Sequence, residues 1–162
     1  MTDTVLAYIG VGANLGFAED AVLNALADLS HLPDSEFIAA SSLYRSAPID
    51  AEGPDFINAV AAVETALSAG ELLATLLAIE LRYGRVRTTR NAPRTLDLDL
   101  LLYGSATVRQ QELVVPHPRL AERAFVLMPL LELDAEIVIP GQGSARALLE
   151  RLPDQDVARL LR

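Results

Sequence analysis

Arg85-Val-Arg-Thr-Thr-Arg-Asn-Ala-Pro-Arg-Thr-Leu-Asp-Leu-Asp-Leu-Leu-Leu-Tyr103 changes character halfway along. Its first half is basic, with Arg85, Arg87, Arg90 and Arg94 inside ten residues. Its second half alternates Leu96, Asp97, Leu98, Asp99 and Leu100. Side chains on a strand point alternately to its two faces, so the leucines take a core face and both aspartates the other. Two carboxylates roughly 6 Å apart repel by about 3 kcal/mol at an effective dielectric of ~20. A cation offsets that cost. Magnesium, which takes one or two carboxylates together with phosphate oxygens, suits the pair. Arginines immediately upstream suit the phosphates themselves. The segment reads as half of a nucleotide-phosphate site. Taken singly, Asp-x-Asp is more often just the wet face of an amphipathic strand, and the arginines also suit a solvated loop.

The composition narrows the classes. With 162 residues the chain is expected to form a single domain, 1–162, large enough for a core without staples. Half of it is apolar (51%) and the mean hydropathy is +0.29, which argues against disorder. A net charge of −9 argues against a general nucleic-acid or membrane-surface binder. All 13 basic residues are arginine, so lysine chemistry is excluded, and the lack of cysteine removes disulfides and thiolate sites. The start has no basic region before its apolar run, and no run approaches a membrane span. A cytoplasmic protein is expected, with no membrane or nucleic-acid partner, and a monomer.

Val5–Val11 has the length and apolarity of a buried strand, and Gly10-Val-Gly-Ala-Asn-Leu-Gly16 reads as the turn that ends it. Glu19 and Asp20 open a helix spaced by Val22, Leu23, Leu26 and Leu29. Residues 36–46 read as a second strand and 56–65 as a third, with a turn-rich loop at 49–55. On the third strand Phe56 and Asn58 share one face, and Ile57, Ala59, Ala61 and Val63 the other. An amide beside a ring suits a flat heterocycle, or is an ordinary edge pair. Ser68-Ala-Gly-Glu71 is a capping box before a helix ending near Gly84. Glu80 sits against the dipole at that helix's end, which marks either a site residue or a salt bridge to a nearby arginine. Later come a helix through Arg123 and Phe125, a short strand at 137–139, and two terminal helices at 144–152 and 154–161.

Strand, helix, two strands, helix, strand implies an α+β fold: a ferredoxin-like split βαβ antiparallel sheet with helices packed on one face and additional C-terminal helices. The aspartate strand is expected in the centre, beside the first strand and close to the Gly12–Asn14 turn.

Arg94-Thr-Leu-Asp-Leu-Asp-Leu-Leu, preceded by Ala-Pro, closely resembles the signature of the 6-hydroxymethyl-7,8-dihydropterin pyrophosphokinase family. Tyr8–Leu15, Ser42–Pro48, Phe56–Asn58, Glu80–Arg87, Val115–Arg119 and Glu122–Leu130 resemble it in the same order. The resemblance implies the ferredoxin-like fold and an enzyme of folate biosynthesis, a transferase that passes pyrophosphate from ATP to a pterin hydroxymethyl group and releases AMP. It implies two magnesium ions on Asp97 and Asp99, with ATP and the pterin as small-molecule partners. Asn58 would bond the pterin edge and Phe56 and Phe125 would stack on its faces, with Gly12, Ser46, Ala47 and Pro48 lining the slot. Arg85 and Arg94 would act on the phosphates, assisted by Arg87 and Arg90. His117 and Arg123 would touch the nucleotide, with Glu80 near the adenosine end. The sequence departs from some members in lacking a tryptophan in Arg90–Arg94 and one residue of the basic loop, and from others in Ala47, Phe56 and Pro118.

Two other classes fit parts of the pattern. An RNA-binding module of the same layout needs a basic face and exposed aromatics, against −9 charge and 5% aromatic content. A palm-type nucleotide enzyme such as a cyclase uses strand aspartates but gives no reason for Phe56, Asn58 and Phe125.

Overall fold

Nine residues from Val5 to Ala13, β1, form the strand on which the others are hung. The structure, a computed structural model, describes residues 3–14, 16–48, 53–83 and 96–160. Arg85, Arg87, Arg90 and Arg94 therefore lie outside the described residues. After β1 come α1 (Ala18–Leu29), β2 (Ser35–Ala40), β3 (Tyr44–Ser46), β4 (Phe56–Thr65), α2 (Ala69–Arg82) and β5 (Asp97–Tyr103). A short hairpin, β6 (Val108–Arg109) and β7 (Val114–Val115), leads through a 3-10 turn to α3 (Ala124–Leu133). A second hairpin, β8 (Val138–Ile139) and β9 (Gly143–Ser144), leads to α4 (Ala145–Arg151) and β10 (Val157–Arg159). Mixed helices and an antiparallel sheet make this an α+β fold.

The sheet runs β10-β3-β4-β1-β5, and β2 also pairs with β4. The aspartate strand is thus beside β1 as expected, but at the end of the path rather than in its centre. Gly10 and Gly12 are not in a turn. They pair within β1, because flanking β4 and β5 satisfy the backbone on both sides whatever the glycines prefer. The expected 36–46 strand is two strands, each on its own stretch of β4.

The capping box forms as read: Glu71 N–H donates to Ser68 Oγ at 3.1 Å and Ser68 N–H to Glu71 Oε1 at 2.9 Å. The face it starts, Leu72, Leu76 and Ile79, packs with Val22, Ala25 and Leu29 of α1 on Ile9, Val11, Ala59, Ala61, Leu98 and Leu100. That is the first core, and the leucine side of β5 belongs to it. Helices do not stop at this face. Val126, Leu127 and Leu130 of α3 and Ala145 of α4 cover Tyr8, Val60, Ala62, Leu101 and Leu102 on the opposite side. An α3 this apolar has to be buried all round, and the second sheet face is where the surface is available.

The helix expected at 154–161 does not form over its described part, 154–160. Pro153 cannot continue α4, and Val157–Arg159 gains main-chain partners on the edge of β3. One irregularity shapes β5. Leu100 pairs with Ile9 while Leu102 pairs with Tyr8, so Leu101 is an extra residue, a β-bulge. Below it Asp97 and Asp99 alternate with Leu98 and Leu100; above it Leu101 and Leu102 both reach the second core.

Candidate active site

Strand register places three residues of different strands in one row: Asn58 of β4 opposite Gly12 of β1, and Gly12 opposite Asp97 of β5. The next row is Val60, Gly10 and Asp99. All lie on the α3 face, at the end of the sheet beyond Leu101. Glycine between an amide and a carboxylate leaves bare backbone there. At Gly12 the fit is tight, since a Cβ would stand 3.1 Å from Asn58 Oδ1 and the amide would have to give way. Asn58 is 5% exposed and its Nδ2 donates to Ser46 Oγ at 2.7 Å. That bond fixes the amide plane, with its oxygen turned toward β1. Ser46 pairs with Phe56, so ring, hydroxyl and amide share the face. The Ala47 N–H is already donated to Asp156 C=O at 3.0 Å, and so does not serve a ligand.

Asp97 and Asp99 are half-buried. His117 Nε2 stands 4.0 Å from Asp99 Oδ1. Burial first, and then the Arg123 charge, push the His117 pKa down to about 4. The ring is therefore neutral at pH 7, and its approach to Asp99 is not an ion pair. Arg119 N–H donates to His117 Nδ1 at 3.2 Å, which assigns the proton to Nε2, the nitrogen facing the carboxylate. Arg123 supplies the positive charge. Burial lowers its pKa, and Asp99 and Asp97 oppose that shift. Its guanidinium lies 5.6 Å from the centroid of the Phe125 ring, within cation–π range.

The paired carboxylates fit magnesium. They offer hard oxygen donors from one strand face, and a Mg2+ ion completes its shell with water and phosphate oxygens. Among the described residues no group of three or more His, Asp or Glu side chains is arranged to cage an ion.

On the outer edge of β5 a cleft of about 280 Å³ is lined by Leu73, Leu77 and Glu80 of α2, with Leu100, Leu113 and His117. Leu73, Leu77 and Glu80 follow one another at helical spacing, a single stripe of α2. The expectation named Glu80 alone; that stripe was the signal for the rest. Glu80 is 2% exposed and its Oε2 accepts the Leu98 N–H at 2.6 Å. Leu98 is the residue between the two aspartates, so Glu80 holds the strand at the point where the carboxylates project. Glu80→Ala is expected to cost roughly 2–4 kcal/mol, from a stranded amide and a cavity. Glu80→Gln should cost less, because an amide oxygen still accepts. Urea unfolding of the two variants measures the difference; equal losses would mean that the hydrogen bond contributes nothing.

The structure thus brings together Gly12, Ser46, Phe56 and Asn58 with Asp97 and Asp99 on one face, and sets Arg123 and Phe125 at the start of α3. Glu80 and His117 line the adjoining cleft, and Pro48 ends the described part of its loop.

Residues 8–135 match the family model described as 7,8-dihydro-6-hydroxymethylpterin-pyrophosphokinase. A protein of Haemophilus influenzae called 2-amino-4-hydroxy-6-hydroxymethyldihydropteridine pyrophosphokinase is 38% identical over 157 residues, covering 96% of this chain and 98% of that one. One of the same name from Pseudomonas aeruginosa is 41% identical over 154 residues, covering 94% and 95%. Among solved structures, an HPPK-DHPS crystallised in complex with substrates superposes with a TM-score of 0.76 at 12% identity, a likeness of fold alone. That match covers 92% of this chain, which spans 43% of the HPPK-DHPS chain.

Proposed function

Because this chain belongs to the 7,8-dihydro-6-hydroxymethylpterin-pyrophosphokinase family and is a diphosphotransferase, we propose that it moves the β,γ-diphosphate of ATP onto 6-hydroxymethyl-7,8-dihydropterin for folate synthesis. The observation that carries the reading is the row Asn58–Gly12–Asp97. It sets a group that reads a heterocycle edge one glycine away from a carboxylate suited to a phosphate-bound metal. A cyclase needs no such row, and an RNA module needs no carboxylates in it. The order β3-β4-β1-β5, with α1 and α2 on one face, supports the ferredoxin-like description, with α3 and α4 added on the other.

In this reading Asn58, held by Ser46, bonds the pterin edge with its remaining amide groups and sets the ring's rotation. Phe56 and Phe125 cover the ring's two faces and shield the flat ring from water. Gly12 and the Ser46–Pro48 backbone form the floor and side of the slot. Asp97 and Asp99 would hold two magnesium ions, which neutralise phosphate charge and make the hydroxyl more acidic when bound. His117 donates from Nε2–H, and Arg123 adds a fixed positive charge where negative charge develops. Arg85 and Arg94 are assigned to the transferring phosphates and Arg87 and Arg90 to support, from the sequence. The cleft beside Leu73, Leu77 and Glu80 takes the adenosine end. The hydroxyl oxygen bonds to the β-phosphorus, the bond from that phosphorus to the α-bridging oxygen breaks, and AMP leaves. The hydroxyl proton goes to water. A cytoplasmic location and a monomeric state belong to the same proposal.

The product tests it. ATP and 6-hydroxymethyl-7,8-dihydropterin should give equimolar AMP and a pterin diphosphate, followed by phosphorus NMR. Attack on the γ-phosphorus gives ADP instead, and cyclisation gives free pyrophosphate; either product would refute the assignment.

A further inference from the structure

Two consecutive residues near the C-terminus make contacts that a surface tail does not need. Gln155 Oε1 accepts the Ala124 N–H at 3.0 Å, and its Nε2 donates to the Glu122 C=O at 2.9 Å. One side chain therefore grips the main chain on both sides of Arg123. α3 has no cap of its own at Arg123, whose φ of −122° and ψ of 107° are extended. The orphan amide at the start of α3 is thus satisfied from another part of the chain. The next residue, Asp156, holds the opposite wall. Its carbonyl accepts the Ala47 N–H at 3.0 Å and its carboxylate takes Arg45 Nη2 at 2.8 Å. The other branch of Arg45 reaches Asp55, the residue before Phe56, at 2.9 Å. β10 then pairs with β3, Val157 opposite Ser46.

We infer that Gln155 and Asp156 are positioning residues for the pterin slot: a strap that sets the distance between the wall carrying Arg123 and Phe125 and the wall carrying Ser46, Ala47 and Phe56. A flat ring between two aromatic faces is sensitive to that separation, because dispersion contacts weaken over a gap of 0.5–1 Å. The strap lies beyond residue 135, where the match to the family model ends. It rests on the pterin reading given above.

The test is calorimetric titration of 6-hydroxymethylpterin with magnesium and α,β-methylene-ATP at saturation, and of the nucleotide analogue alone. Both are run well below the melting temperature of each variant. Gln155→Ala should weaken pterin binding about three- to tenfold, the worth of one or two hydrogen bonds, and leave nucleotide binding within about twofold. Gln155→Glu keeps an acceptor for the Ala124 N–H and loses the donor to Glu122, so it should fall between the two. It also decides the matter if Gln155→Ala does not fold. Unchanged pterin affinity, or pterin and nucleotide affinities falling together, overturns the strap. Wild-type protein that binds no pterin overturns instead the reading beneath it.

Discussion

Alanine at Asp97 or Asp99 is expected to lower pyrophosphate transfer by at least about 10²–10³-fold, the scale on which a fixed charge-stabilising group acts. The same change should leave the fold no less stable in magnesium-free buffer. Two half-buried carboxylates on one face of β5, separated only by Leu98, repel each other, and Arg123 attracts both. Loss of function without loss of stability is what separates a ligand from a core residue. AMP release and urea unfolding of each variant supply the two numbers. Turnover close to wild type in either variant would remove the carboxylates from the reaction.

Asn58→Ala is expected to weaken pterin binding by about 1–3 kcal/mol, since the ring edge would be buried without its partner. Gly12→Ala should act in the same direction by a different route. Its methyl would arrive 3.1 Å from Asn58 Oδ1 and push the amide out of the plane that Ser46 imposes. Both variants should bind a magnesium–ATP analogue as the wild type does, because Glu80 and the cleft on the far edge of β5 are untouched. Calorimetry of the pterin against each variant checks the pair. If neither change moves the pterin affinity, the slot is not on this face.

How far the sequence could be read depended on which residues carried local information. β4 is where the alternation of Phe56 through Thr65 puts it, and the Ser68/Glu71 box starts α2 as read. The split of leucines and aspartates on β5 also follows from period two alone. β1 defeated the reading because Gly10 and Gly12 look like a turn until two neighbouring strands are known to flank them. β10 defeated it because Val157, Leu160 and Leu161 keep a helical spacing, whereas the unpaired edge of β3 that captures Val157–Arg159 is a tertiary fact. The second helical layer was missed for the same reason: an apolar α3 declares that it is buried but not against which side. In the site, the register that sets Asn58, Gly12 and Asp97 in one row is non-local, and so is the grip of Gln155 on the turn before α3.

The extra residue at Leu101 divides β5 into two frames, much as an inserted letter shifts a line of text. Upstream of it, adding or removing one residue would turn both carboxylates into the α1/α2 core and bring leucines out in their place. Downstream, Leu102 is followed within the strand only by Tyr103, so the same slip would retrim an apolar layer and leave the charged end in place. Changes of length in this strand are therefore unequal in their consequences: they are forbidden where the chemistry stands and negotiable beyond the bulge.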